Sequence, residues 1–491
     1  MNKFYITTAI YYVNGAPHIG HAIQNVWADI IARYHCIKGD DVFFLTGTDE
    51  HGVNIVRTAE GLGKTPKKLA DENASKFKGL KEVLNLSWND FIRTSDQKRH
   101  WPGAIAIWKK LKESGDLYKK KYKGLYCASH EAFITKKDLI DGKCALHGKE
   151  PEIIEEENYF FRLSKYTDRI KKEIESNHMV IVPESRKNEI LSLLNEGLED
   201  VSFSRPAKDI SWGIPVPGDP EHTMYVWCDA LTNYVSALGY GTTNTALFEK
   251  YWPADVHILG KDNLRFHAAI WPGMLLSAGL LLPKTIFCHG FITVNGQKIS
   301  KTLGNIIDPV ELTKQYGTDA IRFYFAREIS TYEDGDFSKN KLETLYNSEL
   351  INNLGNLVSR FFGAAKKFNK IPLKENKFNI LAREVFENYE KAMEEFKFSE
   401  ALGETFRLIK RLNQYFDEER PWEFKELNAK AQEFFSTIVL NLGQVASMLL
   451  PFLPETAEKM FKFLGFKSSG KEPWKIAETK KESQPLFKKL I

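Results

Sequence analysis

Apolar positions in the first 115 residues follow two periods in turn. Runs rich in β-branched and aromatic residues at 4–10 and 42–46 read as buried strands. Between them, Ile23, Val26, Trp27, Ile30, Ile31 and Tyr34 fall on one face of a helix that starts directly after the first strand. That alternation is the mark of a parallel α/β sheet. From 116 to about 225 the pattern turns irregular, with Cys and His in turn-like contexts and a Pro- and Gly-rich close at 214–220, so an inserted module is expected there. Strand-like segments return at 225–227, 256–259 and 285–288, and the sheet is expected to resume after the insertion. Beyond 346 the strand signals stop. Amphipathic stretches at 381–395, 401–416 and 429–450 predict a helical bundle.

Composition adds little to this division but excludes alternatives. With 43% hydrophobic and 13% aromatic residues in 491, the chain is a multi-domain globular protein and not a disordered one. Net charge is only +4, yet residues 1–345 carry 44 basic against 44 acidic side chains and 346–491 carry 24 against 20. The basic excess therefore sits on the helical part, where it suits phosphate contact and equally an ordinary solvated face. Cys36, Cys127, Cys144, Cys228 and Cys288 are too scattered for a disulfide framework, so a reducing compartment is expected. The start of the chain lacks the character of a leader, and the longest apolar stretch, 438–454, is broken by Asn441, Gly443 and Gln444. A cytoplasmic protein without membrane spans is the expectation.

The chemistry concentrates in a few segments. The first strand runs into Asn14-Gly15-Ala16-Pro17-His18-Ile19-Gly20-His21 at a helix start, where unpaired N–H groups favour phosphate. Gly20 would let a nucleotide approach the backbone, and His18 and His21 could donate hydrogen bonds to a phosphorane-like transition state. An isolated pair of this spacing reads first as a helix cap with two surface histidines. Val294-Asn295-Gly296-Gln297-Lys298-Ile299-Ser300-Lys301-Thr302 presents two lysines on a Gly-bearing loop, suited to a departing pyrophosphate. In the insertion, Cys127-Ala128-Ser129-His130 and Cys144-Ala145-Leu146-His147 have the spacing of a tetrahedral Cys₂His₂ zinc knuckle, one structural Zn²⁺ per chain.

Together and in this order, the His-x-x-His and Lys-x-x-Lys segments resemble the two signatures of class I aminoacyl-tRNA synthetases. The resemblance narrows to methionyl-tRNA synthetases through Thr46-Gly47-Thr48-Asp49-Glu50-His51-Gly52, Tyr225-Val226-Trp227-Cys228-Asp229-Ala230, Gly260-Lys261-Asp262 and the run from His289 to Gly296. It implies a Rossmann-like catalytic domain in two halves (1–115 and 226–290), split by a connective module with the zinc knuckle (116–225). A signature loop and linker (291–345) and an α-helical anticodon-binding domain (346–491) follow. It also implies His18, His21, Lys298 and Lys301 as catalytic, and Asp49 as the ligand of the methionine ammonium. Ile10, Tyr12, Trp227, Ala230, Tyr234 and His267 would form the side-chain pocket, apolar and aromatic as a polarizable thioether requires. His18, Gly20, His21, Gly260, Asp262, His289 and the two lysines would bind ATP with Mg²⁺. Asn356, Arg360, Pro421 and Trp422 would meet the anticodon of tRNA(Met), although Trp422 on its own reads as a core anchor.

Departures from the usual letters are Ile299 for Met and Thr302 for Ser in the second signature, and Tyr11 where some members have Pro. They bear on loop flexibility, since both lysines remain. A class I synthetase for another apolar amino acid would need a different pocket and usually a larger insertion. A silent tRNA-binding paralogue would have lost signature residues. A monomer is expected.

Overall fold

The computed structural model describes residues 1–491 except 128–131, 135–137, 146–147, 300–303, 369–370, 372–376, 466–484 and 489–491, and except the side chains of 132, 133, 154 and 298. Strand β1 (Lys3–Thr8) leads into helix α1 (Ile19–Lys38), whose predicted apolar face is buried, and then β2 (Asp41–Asp49). Strand β3 (Asp90–Arg93) precedes helix α2 (Trp101–Glu113). In the insertion, β4 (Leu117–Cys127) pairs antiparallel with β5 (Glu152–Phe161), with Lys121 opposite Glu157 and Lys123 opposite Glu155. Opposite charges across a strand pair favour that register. Next come β6 (Val180–Val182), helices α3 (Val226–Leu231) and α4 (Asn233–Ser236), and strands β7 (Val256–Gly260) and β8 (Thr285–His289).

Among the described residues the central sheet has seven strands, ordered β6–β8–β7–β1–β2 with Tyr11–Tyr12 and β3 also pairing β2, and every pairing is parallel. Two sequence expectations are corrected. Residues 225–227 are not a strand: Tyr225 caps helix α3, all six residues of which are buried, so no polar face betrays the helical period. The sheet also does not wait for the insertion to end, because β6, from within it, pairs with β8 at Val180↔Thr285. Three residues are too few to announce themselves as a strand.

After the sheet, β9 (Ile292–Val294) and β10 (Gln297–Lys298) form a hairpin through Asn295 and Gly296, both at positive φ (52° and 74°), as a type I′ turn requires. Helix α5 (Thr318–Arg327) joins this region to α6 (Asn356–Ala365), α7 (Asn379–Glu394), α8 (Phe398–Glu419), α9 (Ala429–Leu449) and α10 (Pro454–Leu464). One apolar core runs without a break from α1 into these helices, and a second fills the opposite face of the sheet.

Candidate active site

Chain order reverses at β1: its first crossover leads to β2 on one side, and β7 flanks it on the other. Ligands of open α/β sheets bind beyond the carboxyl ends of strands at such a point. A cavity of about 480 Å³ lies there. Asp49, Gly260 and His289 are the last residues of β2, β7 and β8, so the strand ends themselves deliver three predicted site residues to it. Ile10, Tyr12, Trp227, Ala230, Tyr234 and His267 line the same cavity, as do His18, Gly20, His21 and Asp262.

His18 is the N-cap of α1. Its Nδ1 accepts from Gly20 N–H at 3.1 Å, and His21 Nδ1 accepts from His18 N–H at 3.1 Å. The rings lie 3.9 Å apart. A ring nitrogen that accepts cannot carry the proton, so each neutral imidazole holds it on Nε2. The helix cap is thus made through Nδ1, and a phosphate donor would have to use Nε2. Burial and the neighbouring His18 depress His21 well below an ordinary histidine, which keeps it neutral. A Cβ at Gly20 would come within 3.0 Å of His18 Cε1, so glycine makes room for the folded-back imidazole itself. Tyr11 meets His21 edge-on at 5.1 Å and stacks on Phe77.

In the apolar half, Trp227 stacks on Phe266 (3.5 Å, 7°) and meets Tyr12 edge-on. His267 Nδ1 lies 3.0 Å from the Asn263 carbonyl and must donate to it, so Nε2 accepts the Tyr234 hydroxyl proton at 2.6 Å. Burial lowers His267 to about 4. The Tyr234 proton is thus committed to His267. Trp227 Nε1 is buried without a hydrogen-bond partner among the described residues.

Lys298 closes the β9–β10 hairpin, which Asp336 pins by accepting from Gly296 N–H and Thr293 Oγ1, both at 2.7 Å. Ile299 reaches the cavity wall, whereas Lys301 and Thr302 lie outside the described residues. Sequence reading missed Gln24 and Asn233, which also line the cavity. Gln24 donates to Ala9 O and Tyr11 Oη and approaches His289 Nε2 at 3.0 Å.

Elsewhere, Cys127 and Cys144 are both buried and share a small apolar cluster with Ile134. His130 and His147 lie outside the described residues, among which no group of three or more metal-type ligands occurs. In the bundle, Arg360 and Trp422 line one pocket of about 460 Å³ with Phe416. Trp422 is 54% exposed, which removes the core-anchor reading. Asn356 is exposed one turn before Arg360 on α6, and Pro421 is buried.

The profile described as "tRNA synthetases class I (M)" matches residues 4–138 and 134–362, and that of "Anticodon-binding domain of tRNA ligase" matches 378–490. Sheet, histidine-capped helix and helical bundle are thus the catalytic and anticodon-binding domains of a class I tRNA synthetase. The methionine–tRNA ligase of Thermotoga maritima is 44% identical over 512 residues, covering 99% of this chain and 80% of the relative. That of Bacillus subtilis is 41% identical, covering 100% and 78%. Mycobacterium tuberculosis methionyl-tRNA synthetase in complex with methionyl-adenylate superposes with a TM-score of 0.93 at 35% identity over 100% of both chains, and its apo form with 0.86 at 34% over 99% and 98%. The chain belongs to the methionine–tRNA ligase family.

Proposed function

We propose that the chain activates L-methionine with ATP and transfers it to the 3′ end of tRNA(Met), with the following division of roles. A methionine carboxylate oxygen attacks the α-phosphorus of ATP, the bond to the β-bridging oxygen breaks, and pyrophosphate leaves. His18 and His21 donate from Nε2 to the phosphate oxygens at the positive end of α1, as neutral groups aimed at charge that grows in the transition state. Lys298 and Lys301 stabilise the leaving pyrophosphate. Bound with ATP, Mg²⁺ would supply neutralisation of charge on its phosphates. Gly260, Asp262 and His289 hold the nucleoside, Asp49 the ammonium, and Ile10, Tyr12, Trp227, Ala230, Tyr234 and His267 the thioether, with Trp227 Nε1–H as the donor near sulfur. The terminal ribose hydroxyl of the tRNA then attacks the adenylate carbonyl and AMP departs.

The observation that carries this reading is the delivery of both residue sets to one cavity by the carboxyl ends of β1, β2, β7 and β8. Asp49→Asn is expected to raise KM for methionine by roughly 10-fold or more, from the loss of a charge-assisted contact, and to leave KM for ATP unchanged. Equal rises in both would remove Asp49 from the amino-acid half.

The remaining parts follow the same logic. Two buried thiols in one cluster fit half of a tetrahedral site, so Cys127, His130, Cys144 and His147 would hold one structural Zn²⁺. Asn356, Arg360, Pro421 and Trp422 would contact the anticodon, and the boundaries 1–115, 116–225, 226–290, 291–345 and 346–491 separate the working parts. A cytoplasmic monomer completes the proposal. Among the described residues no helix is long and apolar enough to cross a membrane.

A further inference from the structure

Part of the cavity wall comes from the end of β2 with Asp49 and, far along the chain, from the successive helices α3, with Trp227 and Ala230, and α4, with Tyr234. One buried carboxylate outside the cavity lining reaches all three. Asp229, on α3 and 0% exposed, accepts from His51 Nδ1 on Oδ2 at 2.6 Å and from His100 Nε2 on Oδ1 at 2.7 Å. His51 stands two residues after Asp49. His100 caps α2, and its Nδ1 lies 2.8 Å from Ser236 Oγ, two residues after Tyr234 on α4. A carboxylate only accepts, so both imidazole nitrogens facing it carry a proton, and the second nitrogen of His100 shares a hydrogen bond with the Ser236 hydroxyl.

The packing is built for this chain of bonds. A Cβ at Gly103 on α2 would come within 2.6 Å of Ser236 Cβ, so glycine is what lets α4 approach α2 closely enough for the His100–Ser236 bond. Burial opposes the charge on Asp229, but the two imidazoles outweigh it and hold the carboxyl below its ordinary range. Three of the four side chains sit within two residues of a cavity-lining one, while none of the four lines the cavity.

We propose that His51, Asp229, His100 and Ser236 form a positioning network that fixes the separation between Asp49 and the aromatic wall, and so sets methionine affinity without touching the substrate. The proposal rests on the reading of this cavity as the methionine site. The test uses the full chain with Asp229→Asn, which keeps size but turns one acceptor into an amide that faces an imidazole N–H. ATP–pyrophosphate exchange is measured with methionine and ATP varied separately.

The expected result is a rise in methionine KM of ~10-fold, the scale of one lost charged hydrogen bond, with kcat within about 3-fold and ATP KM unchanged. A merely structural role would lower the melting temperature and the active fraction, which reduces kcat and leaves both KM values alone. An unchanged methionine KM, or methionine and ATP KM rising together, overturns the proposal. If Asp229→Asn does not fold, Ser236→Ala at the end of the network decides: a methionine KM raised about 3-fold supports it and an unchanged one overturns it. Exchange by the unaltered chain that does not depend on methionine would instead overturn the site reading beneath it.

Discussion

His18 and His21 each turn one ring nitrogen to the fold. Nδ1 accepts a backbone N–H at the start of α1, and Nε2 keeps the proton. The arrangement requires neutral rings; burial supplies that condition at His21, and it likewise keeps His267 neutral. It has a consequence for stability. An unfolded histidine titrates near 6.5 and His267 in the fold near about 4, so below 6.5 the unfolded chain takes up protons that the folded one refuses. The stability contribution is complete above that value and is lost as pH falls toward 4, with His267 alone responsible for roughly 2 kcal/mol by about pH 5. Melting temperatures between about pH 7 and about pH 5 should therefore fall less steeply in His267→Gln than in the unaltered protein. Equal slopes would show that His267 is not held neutral. Most of the residues that line the cavity were legible in the sequence, but the tautomers were not, because they depend on the carbonyl of Asn263 and on the cap geometry.

Helix α3 shows where periodicity fails. Tyr-Val-Trp looks like a strand, and only a solvent face could have marked it as a helix; every residue from Val226 to Leu231 is buried. The long helices α7, α8 and α9 keep a polar side and were readable to within a few residues. The Asp229 network escaped notice because its hydrogen-bonded pairs lie 129 to 178 residues apart and meet only through tertiary packing, although His51 and Asp229 both fall inside segments that carry the family resemblance. Trp422 is the reverse case: on its own it reads as a core anchor, yet the ring is exposed and lines one pocket with Arg360. An exposed ring can stack an unpaired base for ~1–3 kcal/mol, so Trp422→Ala should weaken aminoacylation of tRNA by roughly one to two orders of magnitude, with methionine activation untouched. Loss of both reactions together would contradict an anticodon role. In the insertion, metal analysis should find one zinc per chain, and its chelation should unfold β4 and its neighbours locally, because ligand binding there supplies folding energy. A fully active, metal-free protein would show that packing alone holds Cys127 and Cys144.

Across the whole molecule, helix α1 is the element on which catalytic sheet and helical bundle meet. Trp27 Nε1 donates to Phe325 O at 3.1 Å, on α5. Asp29, fully buried, binds Arg322 of α5 at 2.7 Å, and the same guanidinium donates to Pro451 O and Phe452 O in the turn before α10. Burial pushes the Asp29 carboxyl up, but Arg322 and Arg33 outweigh it and hold it below its usual range. A buried pair of this kind contributes little net stability while intact, yet loss of one partner costs about 3–5 kcal/mol. It therefore fixes how the domains dock more than how firmly they fold. The helix that caps its own start with His18 and His21 is tied, three turns on, to the domain that reads the tRNA.

The central claim is that this cavity selects methionine for activation. ATP–pyrophosphate exchange measured with each of the twenty amino acids tests it most directly, because the reaction needs both halves of the cavity and no tRNA. Methionine should support exchange far above every other amino acid, since aromatic walls at Tyr12 and Trp227 and a buried Tyr234–His267 pair suit a flexible thioether. Exchange led by leucine or isoleucine would contradict the account.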